Sequence, residues 1–238
     1  MRHFLISGGI YHDFEASSTL LARALGELGF ETVAFDDPES AVAALTASSR
    51  CDLLTINALR FTMRQHEKYA PLRARWAFEL SASGRIALEG YVRRGGALLG
   101  LHTASICFDG WDEWPKILGA AWTWGKSFHA PAGDVEVEPQ EPEDPITSGV
   151  RCFSVFDEVY QDLEISADAR PLLRARMRGD GHYHPVLWTH RYGAGRVVYD
   201  ALGHGPESLG APAHLEILRR SARWLVAGQE CSSRGVHA

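Results

Sequence analysis

The chain predicts an α/β protein with a parallel central sheet, and three observations carry that prediction. Short apolar runs alternate with amphipathic segments through the first hundred residues. Glycine or proline marks most of the junctions. The segment Gly95–His102 reads as a buried strand running into a sharp turn.

The elements follow in order. His3–Ser7 is a short apolar strand stopped by Gly8-Gly9. Ser17 and Ser18 are candidate caps for a helix over Thr19–Leu28, whose Leu20, Leu21, Ala24, Leu25 and Leu28 share a face, and Gly29 is the expected left-handed stop. Thr32–Phe35 is a second strand, Pro38–Ala47 a helix with proline in its first turn, and Leu53–Asn57 a third strand. This β-α-β-α-β run is the pattern of right-handed crossovers between parallel strands. Residues 58–80 break the pattern and read as a surface insertion. Ser83–Arg94 resumes as a helix ended by Gly95-Gly96, Ala97–Gly100 is a buried strand, and Thr103–Phe108 starts another helix. Gly133–Glu138 alternates as a half-exposed strand near a sheet edge does, and the acidic run ending at Asp144-Pro145 reads as a solvated loop. Val186–Trp188 and Arg196–Ala201 are strands joined by a glycine turn over Arg191–Gly195, and His214–Ala227 is a closing helix. One domain over residues 1–228 is expected, with Gln229–Ala238 as a frayed tail.

Composition excludes several classes. With 24 Lys+Arg against 30 Asp+Glu, the formal net charge of -6 gives no electrostatic footprint for nucleic acid. The N-terminal apolar run ends at Ser7-Gly8-Gly9, too short for a signal core or a membrane span. The four cysteines at 51, 107, 152 and 231 include no C-x-x-C pair, which fits a reducing, cytoplasmic setting.

In an open parallel sheet, ligands gather at the carboxyl ends of the strands. Three strand ends here pass through glycine to histidine: Gly8-Gly9 to His12, Gly100 to His102 and Gly203 to His204. The glycines, Gly9 among them, let backbone approach a ligand closely. Gly100-Leu101-His102-Thr103-Ala104 has the steric form of a nucleophile elbow, with small residues flanking the tip. The tip is His102, neither Ser nor Cys, so a covalent acyl intermediate at that point is not expected. Asp157-Glu158-Val159-Tyr160 offers a carboxylate and a phenol, with an exposed acidic pair as the plain alternative. His129 follows an aromatic segment holding Trp122 and Trp124, and Trp188 is either a wall for a sugar ring or core.

These segments occur in the order Arg94–His102, Gly119, His129, Pro145–Gly149, Asp157–Tyr160, Pro185 with Trp188, and Gly195–Tyr199 followed by Gly203-His204. That series resembles the ThuA-like family, named for trehalose utilisation. The resemblance implies a flavodoxin-like, three-layer fold of the class I glutamine amidotransferase-like type, with the usual cysteine site altered. Asp144 stands where the family commonly has histidine, and the 58–80 insertion departs from its pattern. A small-molecule carbohydrate is the implied partner, and a homo-oligomer is compatible with it.

Four readings remain open from sequence. A hydrolase or lyase acting on a carbohydrate, such as a keto sugar, would use His102, Glu158 and His204 as acid–base groups, with Gly9, His12, His129, Tyr160 and Trp188 binding substrate. No cofactor is required, but a divalent metal such as zinc, held by some of His12, His102, His129, Glu158 and His204, would serve as well. A non-catalytic sugar-binding or regulatory protein is the third. Glutaminase activity is disfavoured because no cysteine stands at the elbow.

Overall fold

The computed structural model describes residues 1–46 and 50–227. The strands are β1 Arg2–Gly8, β2 Glu31–Phe35, β3 Leu53–Ala58, β4 Ala97–Leu101, β5 Ala120–Ala121, β6 Gly133–Pro139, β7 Phe153–Asp157, β8 Glu164–Ile165, β9 Arg170–Met177, β10 His184–Tyr192 and β11 Gly195–Asp200. The helices are α1 Phe14–Gly26, α2 Pro38–Thr46, α3 Ala70–Trp76, α4 Ala82–Arg93, α5 Trp114–Leu118, α6 Pro206–Leu209 and α7 Pro212–Ala227. Nine strands form one sheet in the order β2-β1-β3-β4-β11-β10-β9-β6-β7. The first five in that order are mutually parallel and the last four extend the sheet antiparallel. The parallel half has the flavodoxin-like order, with its switch point between β1 and β3.

The central parallel strands are mostly apolar on both faces, while β2 at the edge is only partly buried. Every residue of β3 and of β4 is buried, the condition of strands sandwiched between helix layers. Tyr11, Met63, His102, Phe108 and Asp162 take left-handed backbone angles without being glycine, and His102 (φ +41°) does so at the tip of the strand-to-helix turn. Such strain persists only where the surroundings hold it, and it collects at functional sites.

Several expectations are corrected. Helix α1 begins at Phe14 with Asp13 as its cap, whose carboxylate accepts from Ala16 N at 2.9 Å. Ser17 and Ser18 are instead buried inside it, both accepting from the Asn57 amide at the end of β3. Helix α2 reaches Thr46; Ala47 and the Gln229–Ala238 tail lie outside the described residues. The turn after β4 is a single 3₁₀ turn, His102–Ser105, not the first turn of an α-helix. Residues 58–80 are not a surface insertion alone: Leu59, Phe61, Met63 and Tyr69 join Ile10 and Phe14 in a second apolar cluster. Asp144 is no solvated residue. It is 5% exposed, accepts from Ile146 N at 2.9 Å and pairs with Arg170 at 3.1 Å. The strand at 133–139 does lie one place in from the sheet edge, and the predicted glycine turn does join β10 to β11. No helix among the described residues is long and apolar enough to cross a membrane.

Candidate functional site

The loops leaving β1, β4, β7 and β11 meet at one point, and each brings a titratable side chain. From β1 comes His12, from β4 His102, from β7 Glu158 and from β11 His204. One ligand atom from each of these four lies within 4.8 Å of all the others. His129, from the segment before β6, joins from the side, its Nδ1 3.3 Å from Glu158 Oε1.

Elbow sterics place His102. A Cβ on Gly100 would lie 2.5 Å from Leu118 Cδ1 and 3.2 Å from the Tyr199 ring, so only glycine fits beneath the turn. The His102 backbone is held from outside as well: Tyr199 O–H donates to the His102 carbonyl at 2.6 Å. Its ring, almost wholly buried, lies with Nδ1 2.7 Å from the Ala201 carbonyl. A carbonyl only accepts, so Nδ1 carries the proton, and Nε2 faces Glu158 Oε2 at 3.4 Å and the Tyr160 hydroxyl at 3.0 Å. The same logic fixes His12, whose Nδ1 donates to the Ile10 carbonyl at 3.1 Å. His12 Nε2 is buried without a hydrogen-bond partner, as is His204 Nδ1, which lies 3.4 Å from Glu158 Oε2.

Glu158 is the hub. Although burial acts against it, contact with His102 and His204 holds its carboxyl below the usual carboxylate range. In return the close approach of Glu158 raises His204, outweighing a partial burial that acts the other way. His12 is lowered to about 4, first by burial and then by repulsion from His102. Burial pushes the Tyr160 phenol well above its ordinary value, so it stays a donor. One phenol donor, one carboxylate, one neutral imidazole at His12 and one imidazole of raised basicity at His204 can accept, hold or release a proton, or ligate a cation.

Of the residues expected at the site, His12, His102, His129, Glu158, Tyr160 and His204 are brought together. Asp157-Glu158 is not the exposed acidic pair offered as an alternative, both residues being buried. Gly9 serves the path to His12: with φ +149°, a Cβ there would sit 2.6 Å from the Leu59 carbonyl oxygen, so the close approach is to backbone. Trp188 is a correction. It is fully buried on β10, its ring 4.6 Å from that of Tyr199, and presents no face to a ligand. The aromatic beside the cluster is Trp122, with centroids 5.0 Å from Tyr160 and 5.9 Å from His129.

Asp157, which the residue pattern did not single out, builds the site from below. Its carboxylate accepts from Glu158 N at 2.7 Å, Gly203 N at 2.7 Å and His204 N at 3.1 Å. It thereby ties the loop after β7 to the loop after β11. The only signal in the sequence was its place at a strand end beside Glu158. A second buried pair, Asp200 with His214 at 2.9 Å, braces the same loop, Asp200 also accepting from Leu202 N at 3.0 Å. Cys107, five residues past the tip, is no substitute nucleophile: burial pushes its thiol up to about 12, and its S–H points to the Ala58 carbonyl.

Fold and site together define a class: an amidotransferase-like α/β protein whose elbow presents histidine and whose cleft is a histidine–glutamate cluster. Residues 8–225 match the family model described as ThuA, trehalose utilisation, and the chain belongs to that family. Membership links it to carbohydrate metabolism. A ThuA-like protein from Parabacteroides merdae is similar in structure, with TM-score 0.76 and 18% identity over 96% of this chain and 90% of that one. Another from Bacteroides uniformis gives TM-score 0.68 and 18% identity, covering 94% and 91%. A protein from Salmonella typhimurium, described as cytoplasmic, gives TM-score 0.58 and 14% identity over 97% and 99%. At these identities the likeness is one of fold. Among curated proteins, no sequence matches the chain.

Proposed function

We propose that this chain is an enzyme acting on a carbohydrate that carries a ring carbonyl, by proton transfer at the His102–Glu158–His204 cluster and without a covalent enzyme intermediate. One observation carries the reading: Glu158, 7% exposed, stands 3.3–3.4 Å from His102, His129 and His204 at the mouth of an elbow that lacks a nucleophile. The family's link to sugar metabolism supplies the substrate class.

A ring ketone acidifies the C–H beside it. An imidazole in neutral form takes that proton, the C–H electrons form the enolate, and their return expels the glycosidic oxygen, which leaves with a proton from a second imidazole. His204, with its raised basicity, suits the protonated partner, and His129, at the more open side, suits exchange with solvent. Glu158 orients both and stabilises whichever carries the charge. Trp122 offers an apolar edge beside them.

The test is turnover of a panel of keto-disaccharides and their unoxidised parents, followed by NMR. Cleavage of the keto forms, lost in both His102→Ala and Glu158→Gln, is expected. Binding by calorimetry with no product would make the chain a sugar-binding protein instead, and ammonia release from glutamine would restore amide chemistry.

A further inference from the structure

We propose that His12, His102, Glu158 and His204 hold one divalent first-row transition-metal ion, zinc or a neighbour in that series. The inference goes beyond the sugar reading and stands on the geometry alone; with the ion in place the ligated imidazole nitrogens hold no free lone pair, and proton transfer falls to His129, which lies outside the set.

Four ligand atoms lie within 4.8 Å of one another, and they come from four separate strand ends rather than from one local motif. Their lone pairs are turned inward by backbone. The Ile10 carbonyl takes the Nδ1 proton of His12, and the Ala201 carbonyl takes that of His102, which leaves each Nε2 unprotonated, that of His102 accepting from the Tyr160 hydroxyl at 3.0 Å when no ion is bound. Ligating histidines are commonly held this way, the outer nitrogen bonded to a carbonyl so that tautomer and ring orientation are fixed. His12 Nε2 and His204 Nδ1 then stand buried with no hydrogen-bond donor to meet them. Glu158 Oε2 lies 3.4 Å from both His102 Nε2 and His204 Nδ1 and within 4.8 Å of a ring nitrogen of His12. Four acceptor atoms gathered with a single donor, the Tyr160 hydroxyl on His102 Nε2, are costly to bury. One cation resolves all four at once, where a proton resolves a single pair.

The carboxylate is divided in a way that suits this. Oε2 faces the cluster, while Oε1 faces His129, which stays outside the set as a group free to exchange protons. Asp157 holds the backbone of Glu158 and of His204 from one carboxylate, so two ligands share one brace. Three imidazoles and one carboxylate select zinc, cobalt, nickel, manganese or ferrous iron over magnesium or calcium, which prefer all-oxygen sets. His12 and His204 are the less buried ligands, so the solvent side of the ion lies between them.

The experiment uses full-length protein purified without a histidine tag, stripped with chelator and titrated by calorimetry with zinc and with cobalt, alongside His204→Ala, Glu158→Gln and the surface variant His182→Ala. Wild type and His182→Ala are expected to bind one ion and melt at higher temperature with it. His204→Ala and Glu158→Gln are expected to lose more than ~100-fold in affinity, beyond the 10–100-fold that loss of an outer hydrogen-bonding partner costs. His204 is partly exposed, so its alanine variant keeps the fold, which circular dichroism checks. No saturable binding to wild type, or equal binding by all four proteins, overturns the proposal. Turnover is measured separately on chelated protein. Full activity there with no metal affinity removes the metal and keeps the sugar chemistry, whereas tight stoichiometric binding with no product from any keto sugar does the reverse.

Discussion

Replacing Asp157 with asparagine tests whether one buried carboxylate assembles the site. Asp157 is fully buried and accepts three backbone N–H bonds, at 2.7, 2.7 and 3.1 Å, from two loops that are 46 residues apart at Gly203. Hydrogen bonds to a charged group contribute about 1.5–3 kcal/mol each, less when they share one acceptor. The asparagine side chain would keep one oxygen but turn an NH₂ against at least one N–H, so at least one bond is lost and a donor is left facing a donor. The expected cost is about 3 kcal/mol, which for a chain of this size lowers the melting temperature by ~6–12 °C. Thermal melts followed by circular dichroism measure it, and amide exchange at Gly203 and His204 should quicken by a larger factor than exchange in β3. A fall of less than ~2 °C with unchanged exchange would refute the reasoning, since the loops would then be held by something other than this carboxylate.

Three further outcomes are expected. Glu158→Gln removes the carboxylate that raises His204, so His204 followed by NMR should titrate at lower pH than in wild type; an unmoved titration contradicts the pairing. The sign follows: because the folded value is raised, the stability His204 contributes is complete below about 6.5 and fades as pH rises through the raised value, in wild type but not in the variant. Native alkylation should modify exposed Cys152 and spare Cys107, whose thiol is buried and pushed up to about 12; rapid loss of activity through Cys107 labelling would return the nucleophile to consideration. Gly9→Ala forces a Cβ to within 2.6 Å of the Leu59 oxygen at φ +149°, and should destabilise by about 2 kcal/mol, or ~4–8 °C in melting temperature.

The parallel half of the fold was legible because its signals are local. β4 is a continuous apolar run and β3 a mostly apolar one, and helix α4 between them carries one apolar face and ends before Gly95. The strand-end histidines were legible for the same reason: strand direction alone brings the ends of β1, β4 and β11 to one edge of the sheet. The antiparallel half was not. β9 reads Arg-Pro-Leu-Leu-Arg-Ala-Arg-Met, and its Arg174 and Arg176 make sense only against Glu138 and Glu136 of β6, some 40 residues earlier. Nothing within a short window encodes that pairing. Asp144 and Asp157 were misread or passed over on similar grounds, since each is buried by partners distant in the chain. Ser17 and Ser18 looked like caps because nothing local announces Asn57 as their partner. Trp188 could be wall or core until its place on a central strand, against Tyr199, decided for core. Residues 58–80 lack periodicity because their side chains pack one by one against the loop at Ile10 and Phe14.

The claim at the centre is that the His12, His102, Glu158 and His204 cluster is where chemistry on a sugar takes place. Incubating wild type and Glu158→Gln with a keto-disaccharide, under matched metal content, and following the anomeric signals by NMR tests it most directly. The account predicts cleavage by wild type that falls at least ~100-fold in the variant while circular dichroism shows the fold retained. Equal cleavage by both proteins would contradict it.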